Sequence, residues 1–152
     1  MNRLLSWLPP VLWMVVILVW LSSDAFSAEQ TGGRLASLLR WLLPSVTPAQ
    51  IKGAHTLVRT SGHVAVYGLL AGLWLRAFVR EGVLPGSSAA WAAFAITVAW
   101  ACVDELNQST MASREGSALD VATDAAGAAV VLSIARFACR RNGWGNGGLQ
   151  AP

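Results

Sequence analysis

The chain of 152 residues and 16.1 kDa is 55% hydrophobic and only 12% charged, with a mean hydropathy of +0.51. Soluble domains carry about 25% charged residues, so a small chain of this composition could not cover its own surface in water. Eight Trp against one Tyr and four Phe suggest the aromatic belt of a membrane interface. Eleven Lys and Arg against eight Asp and Glu, with no basic run, indicate membrane orientation rather than nucleic-acid binding. The composition predicts one integral membrane domain and argues against a cytosolic enzyme, a nucleic-acid binder or a disulfide-stapled secreted domain.

Four apolar segments approach the length of about 20 residues that a helix needs to cross a bilayer. They cover residues 4–21, 62–79, 89–105 and 118–138. Because only helices and closed barrels satisfy their backbone groups in lipid, these runs predict an all-α integral membrane four-helix bundle over residues 1–141. A Gly- and Asn-rich tail, residues 142–152, is predicted to be disordered and cytoplasmic. The first segment also imitates a signal peptide, although its apolar run is longer than such signals usually have.

The connection between the first two segments carries helical patterns of its own. Leucines recur at helical spacing over residues 35–42, between the Gly32–Gly33 pair and Pro44, with arginines beside them. This pattern predicts a short amphipathic interfacial helix on the outer membrane surface. The Thr-Pro-Ala-Gln sequence at residues 47–50 is typical of a capping box, so a second helix should begin there and lead into the second span.

The arginines indicate an orientation, because short flanks rich in Lys and Arg stay in the cytoplasm. Those that flank the predicted spans at one end are Arg3, Arg76, Arg80, Arg136, Arg140 and Arg141. All acidic residues except Glu81 fall on the opposite side. We therefore predict that both termini are cytoplasmic and that residues 35–43 lie on the outer surface.

Polar residues enter the predicted spans in three helical rows. A charge at mid-bilayer costs at least about 2.5–3.5 kcal/mol, so such residues are rarely accidental. The rows are Arg59, His63 and Tyr67 at the second span, Asp104, Glu105 and Gln108 at the third, and Asp120, Asp124 and Gly127 at the fourth, with Arg114 in the last loop. We expect these groups to converge in the outer half of the membrane. They predict a polar pocket open to the outer face or, alternatively, a buried network of salt bridges that only fixes the bundle.

The carboxylates of the fourth span need cationic partners. Asp120 and Asp124 are four residues apart and cannot both stay charged in a low-dielectric bundle without them. Arg59, Arg114 and a protonated His63 are the candidates at that depth. We predict that Arg114, whose side chain can fold back over the start of the fourth helix, is the main counter-charge of Asp120.

These motifs resemble those of the VanZ-like family of small bacterial membrane proteins. Residues 59–67 are similar to that family's Arg-Lys-x-x-His-x-x-x-Tyr stretch, and residues 21–24 are similar to its Ser-Ser turn. Its second stretch, Asp-Glu-x-x-Gln followed by Arg, Asp, Asn and Gly, resembles residues 104–108 followed by Arg114, Asp120, Asp124 and Gly127. The chain departs from the family pattern at Thr60, Val66, Asp124 and Ala112–Ser113, where the family usually has Lys, Glu, Asn and Pro-Gly.

The resemblance implies a four-span, multi-pass protein of the bacterial cytoplasmic (inner) membrane. The member that gives the family its name is associated with low-level resistance to teicoplanin, a lipid-tailed glycopeptide antibiotic, by a route that does not remodel the peptidoglycan precursor. Most relatives have no known activity. Fold and family therefore predict placement in the cell envelope better than they predict an activity.

Three functions are compatible with the sequence. The first is a non-enzymatic pocket that engages membrane lipids or another amphiphilic ligand at the outer face. The second is an intramembrane enzyme in which His63 forms an acid–base pair with Asp104, Asp120 or Asp124. The third is a small transporter, which four spans could support only as a homo-oligomer.

The sequence predicts neither a metal nor a cofactor. It lacks a Gly-framed Ser, a paired-His metal motif and a phosphate loop. A zinc site would depend on His63 alone, because we place His55 off the face of that residue. Gly68 and Gly72, four residues apart in the second span, permit close helix approach, either inside the bundle or between two chains.

Overall fold

The computed structural model is an all-α bundle that describes residues 3–21, 23, 27–111 and 117–141. After a short 3-10 turn, Arg3–Ser6, come α1 (Leu8–Val16), α2 (Ala28–Leu42), α3 (Pro48–Glu81), α4 (Gly86–Ser109) and α5 (Ala118–Arg141). Among the described helices, α3, α4 and α5 are long and apolar enough to cross a membrane. The fold is that of a multi-pass membrane helical bundle.

The first predicted span is shorter and more interrupted than the other three. Its continuous apolar helical stretch, Leu4–Val19, is below the length of the three long helices. Pro9 and Pro10 lie in the first turn of α1, where a missing N–H costs least, so the preceding turn ends at Ser6 and α1 begins anew. The segment then ends as a π-helical turn, Ile17–Leu21.

The second predicted span is part of a much longer helix. α3 runs without a break over 34 residues and begins at the predicted capping box. The Thr47 hydroxyl accepts the Gln50 N–H, and the Gln50 side chain accepts the Thr47 N–H at 2.9 Å. Gly82 closes the helix in the left-handed conformation. The capping prediction is therefore confirmed.

The amphipathic helix begins earlier than the sequence predicted. α2 starts at Ala28, where Ser27 accepts the Gln30 N–H, and the Gly32–Gly33 pair lies inside it rather than before it. Helix α2 contains no buried residue. Its contact with α3 passes over Gly32, where a Cβ would lie 3.5 Å from the His55 ring. A Cβ at that distance would be in ordinary van der Waals contact, so the contact between α2 and α3 does not require glycine at this position.

Side-chain contacts set the directions of the helices. Trp7 packs on Trp74 and Phe78, whereas Trp13 donates its indole N–H to the Val66 carbonyl at 3.0 Å, so α1 runs antiparallel to α3. Helices α3 and α5 run parallel, because Arg59 meets Asp120 and, further along both helices, Gly68 meets Val131. Helix α4 runs in the opposite direction to α3: Phe78, late in α3, shares a core cluster with Ala89, early in α4, whereas Tyr67 bonds Asp104 late in α4.

Two glycines allow α3 and α5 to cross closely. A Cβ on Gly127 would lie 2.6 Å from the Val64 carbonyl oxygen, and one on Gly68 would lie 2.8 Å from Val131. Gly72 also faces Val131. Gly68 and Gly72 thus both pack inside the bundle, and a contact between two chains through these glycines stays a prediction. The close crossing brings the polar faces of α3 and α5 within hydrogen-bond distance.

Candidate functional site

The polar face of α3 carries one bonded side chain on each of three successive turns. At the first of these turns, Arg59 Nη2 forms a salt bridge with Asp120 Oδ2 in the first turn of α5. Both side chains are partly exposed. Asp120 was predicted to pair mainly with Arg114, which lies outside the described residues, so that prediction stays a prediction. Arg59, one of the other candidates, is the cation that Asp120 contacts.

One turn further, His63 is bonded to the most deeply buried carboxylate of α5. His63 Nδ1 lies 2.9 Å from Asp124 Oδ1, and Asp124 is 1% exposed. With Asp124 ionised, the ring nitrogen Nδ1 donates this bond, so a neutral His63 keeps the lone pair on Nε2. Asp124 Oδ2 is also buried and has no hydrogen-bond partner within the described chain. Among the carboxylates proposed as a partner for His63, Asp124 makes the contact.

On the third turn, Tyr67 joins α3 to α4. Its hydroxyl donates to Asp104 Oδ2 at 2.7 Å, and the Gln108 side-chain amide donates to the same oxygen at 3.0 Å. All three side chains are buried. Asp104 is therefore held by two donors, Tyr67 from α3 and Gln108 from its own helix.

Glu105 has a local role at the start of α5. Its Oε2 accepts the Ser117 N–H at 2.7 Å, directly before the helix begins at Ala118. Exposed N–H groups at a helix start favour an acceptor with negative charge. Glu105 is thus a cap that ties the end of α4 to the start of α5.

A partly open cavity of about 230 Å³ lies beside these bonded pairs, between α2, α3, α4 and the end of the first segment. Its polar lining consists of Thr31, His55, Arg59, His63, Tyr67, Asp104 and Gln108. Its apolar lining consists of Ile17, Leu35, Val58 and Val66, with Gly62 between them. All the predicted residues of α3 and α4 except Glu105 thus line one cavity. Asp120 and Asp124 do not line it, but they bond the lining residues Arg59 and His63.

The placement of His55 was predicted wrongly. It lines the same cavity as His63, because it lies four residues before Arg59 and so continues the same helical row. His55 Nε2 lies 3.2 Å from the Thr31 hydroxyl. Since that hydroxyl donates its hydrogen to the Ser27 carbonyl at 2.8 Å, His55 is the donor to Thr31. The four-residue spacing between His55 and Arg59 was the sequence signal that could have assigned His55 to this row.

The cavity-lining side chains of α2 and the first segment could not be predicted from a sequence motif. Thr31, Leu35 and Ile17 belong to no polar row, and they reach the cavity only through the packing of α2 and α1 on α3. The described ranges contain no group of three or more His, Cys, Asp or Glu side chains arranged to ligate one metal ion. Carboxylate, imidazole, phenol and guanidinium groups thus remain for binding or for proton transfer.

Comparison with known proteins gives no match: a scan against protein-family models, a search of curated proteins and a search of solved structures each found none. The class that the fold defines is a multi-pass membrane protein with an all-α bundle. What the cavity does has to be argued from its geometry.

Proposed function

We propose that this chain is a VanZ-like protein of the bacterial cytoplasmic membrane whose cavity binds an amphiphile at the outer face. The ligand would be a lipid, a cell-wall precursor or a lipoglycopeptide, with a role in envelope function or in teicoplanin resistance. The observation that carries the proposal is the two-sided lining of the cavity. Apolar side chains from the first segment, α2 and α3 line the cavity beside the polar row of α3 that includes Arg59. A molecule with one polar and one apolar end fits such walls better than a purely polar solute does.

The ends of the bundle support this orientation. Because α1 is antiparallel to α3 and α5 is parallel to it, the start of α1 and the ends of α3 and α5 lie together. That end carries Arg76, Arg80 and Arg136, whereas the cavity lies towards the other end. Basic flanks favour the cytoplasmic side. The proposal therefore places both termini in the cytoplasm and the cavity at the outer face.

Thiol labelling tests the orientation. With Cys102 and Cys139 replaced, a single Cys introduced after residue 142 is expected to resist an impermeant thiol reagent in intact cells and to react after lysis. As a positive control, a Cys at the exposed position Ser45, between α2 and α3, should react in intact cells. The reverse labelling pattern would place the cavity on the cytoplasmic side.

Binding is tested by filling the cavity without disturbing the bundle. Gly62 lines the cavity, and a Cβ built there meets nothing within 4 Å. Gly62→Leu should therefore place a side chain in the cavity while the protein stays folded. Gly53 is a matched control, since it lies on the same helix, is equally open and does not line the cavity.

The two variants are compared in purified protein and in cells. Native mass spectrometry should detect lipid bound to the wild type and to Gly53→Leu but not to Gly62→Leu. A deletion strain complemented with each variant should lose tolerance of teicoplanin or envelope integrity with Gly62→Leu alone. Equal lipid binding and equal sensitivity of both variants would refute the proposal.

A second candidate function, acid–base catalysis, is favoured by the contact between His63 and Asp124. A carboxylate that holds Nδ1–H orients the imidazole and leaves Nε2 to accept a proton, as a general base requires. In this hypothesis His63 Nε2 would take a proton from a water that hydrolyses an ester bond of a lipid-linked substrate in the cavity, and would return that proton to the alcohol oxygen that leaves. Purified protein incubated with membrane lipid extract should then form a product, and His63→Gln should abolish it. No product from the wild type would exclude this candidate for the lipids present.

A further inference from the structure

We infer that the polar end of the ligand is a phosphate-type anion bound by Arg59, and that one apolar chain follows the wall formed by Ile17, Leu35 and Val66. The inference rests on the proposed function and specifies the chemistry of the ligand. It depends on which of the two charged side chains that line the cavity, Arg59 or Asp104, can still bond a ligand.

Arg59 has unused donors and is already oriented. A guanidinium carries five N–H groups, and the bond to Asp120 uses Nη2 alone. Within the described chain, Nη1 and Nε have no partner. The side chain is 30% exposed and lines the cavity. Since Asp120 holds the guanidinium in place, little side-chain entropy is lost when a second anion binds.

Asp104 is not equally ready for a ligand. Its Oδ2 already accepts bonds from Tyr67 and Gln108, and the residue is 3% exposed. An amine could reach it only by displacing buried hydrogen bonds, which is costly. The accessible charge in the cavity is therefore the cation. The planar fork of Arg matches anions that present two oxygens side by side, which phosphate and carboxylate both do. Of these two, phosphate is the anion that membrane lipids carry in their headgroups.

The size of the cavity limits how much of the ligand it encloses. Pockets that bury a whole drug-sized molecule have volumes of about 300–1,000 Å³. The cavity here measures about 230 Å³, which is too small for a complete two-chain lipid or glycopeptide. It can hold a headgroup and the first part of one chain, while the rest of the molecule stays in the membrane.

The test compares two probes that differ only in the phosphate. Lysophosphatidic acid and a monoacylglycerol with the same acyl chain are titrated against the purified full chain in a mild uncharged detergent. A hydrogen-bonded charge pair predicts that the phosphate probe binds about ten-fold or more tightly. Inorganic phosphate is titrated separately and should bind far more weakly than the phosphate lipid.

The assignment to Arg59 is tested with a charge-neutral double variant. Arg59→Gln with Asp120→Asn removes both partners, so no unpaired charge remains to unfold the protein. It should bind both lipid probes equally, whereas Arg80→Gln, an exposed change near the far end of α3, should keep the wild-type preference. If the double variant does not fold, Arg59→Lys serves instead. The lysine keeps the charge that pairs with Asp120 but lacks the two parallel N–H donors of the guanidinium. This variant should therefore bind the phosphate probe several-fold more weakly than the wild type does.

The outcomes separate this inference from the proposed function. If the wild type binds neither lipid, the amphiphile proposal itself fails. If it binds both with equal affinity, the amphiphile proposal stands and the phosphate inference is overturned. Binding of inorganic phosphate as tight as that of lysophosphatidic acid would show a free-anion site and refute the role of the apolar wall. A double variant that keeps the preference would refute the role of Arg59.

Discussion

The two ends of the bundle are held together by different forces. At the basic end, Trp7, Trp74 and Phe78 pack with ring centroids 5.3–5.9 Å apart, against alanines with no exposed surface. At the other end, Arg59 and His63 each bond a carboxylate of α5. Lipid tails are as apolar as the side chains, so apolar packing in a membrane holds helices only through close fit. The polar end adds directional bonds between charged side chains.

This difference shows which end sets the register of the bundle. The two pairs that join α3 to α5 are each separated by 61 residues, so both need the same alignment. A slip of one residue would break both at once, whereas alanines and aromatic rings could repack. We therefore expect changes at the polar end to alter stability and binding together, and changes at the apolar end to alter stability alone.

Removal of His63 should give the largest loss. His63→Leu leaves Asp124, which is 1% exposed, without its partner, and a broken buried pair costs about 3–5 kcal/mol. Thermal unfolding in detergent should show a large drop in Tm. The double variant His63→Leu with Asp124→Leu should regain most of it, because no unpaired charge remains. A double variant as unstable as the single one would show that the pair does not account for the loss.

Gly127→Ala should come next. The added Cβ would lie 2.6 Å from the Val64 carbonyl oxygen, and backbone cannot move aside as a side chain can. Overpacking of this kind costs about 1–3 kcal/mol, and we expect the upper end. Lipid binding should fall as well, since the helices that carry both polar pairs are forced apart. Gly53→Ala, at an open position of α3, is the control and should be neutral or slightly stabilising.

Phe78→Ala probes the apolar end. The change removes two ring contacts, with Trp7 and with Trp74, and each aromatic pair is worth about 0.5–1.5 kcal/mol, so we expect a loss of about 1–3 kcal/mol. The affinity for lysophosphatidic acid should not change. A clear loss of affinity in this variant would contradict the separation of the two ends.

Glu105→Gln should have the smallest effect. The neutral amide oxygen can still accept the Ser117 N–H, but it loses the favourable interaction of a charge with the start of α5. Such an interaction is worth about 0.3–1 kcal/mol. The Tm should fall slightly, and Glu105→Ala, which removes the acceptor as well, should be less stable than Glu105→Gln. If Glu105→Gln is the less stable of the two, the capping role is wrong.

The sequence predicted which residues share a face of one helix better than it predicted their partners on other helices. Helical spacing placed Arg59, His63 and Tyr67 on one face, and the capping box located the start of α3, because both patterns depend on neighbours along one helix. The partners of these residues come from other helices. Spacing therefore offered several cations for Asp120 and several carboxylates for His63, and only the α3–α5 register selects Arg59 and Asp124.

Other features depended on packing that no local pattern records. The first span was predicted as one helix, although Pro9 and Pro10 divide it from the turn before it. Helix α2 was predicted to start after its glycines, because a Gly pair usually ends a helix, whereas here the Ser27 cap and the contact of Thr31 with His55 hold the helix on both sides of that start. The apolar wall of the cavity was also missed, because its side chains come together only when α2 and the first segment pack on α3.

The uninterrupted course of α3 also sets the height of the cavity above the membrane centre. With 34 residues at 1.5 Å each, the helix is about 51 Å long, whereas the hydrocarbon core is about 30 Å thick. If its last turns end at the cytoplasmic boundary, about 20 Å, or roughly the stretch from Pro48 to Ser61, projects beyond the hydrocarbon on the other side. His55 and Arg59 then lie in the headgroup layer, on the part of α3 that projects from the hydrocarbon, with α2 beside them. A lipid could present its phosphate there without leaving its own leaflet.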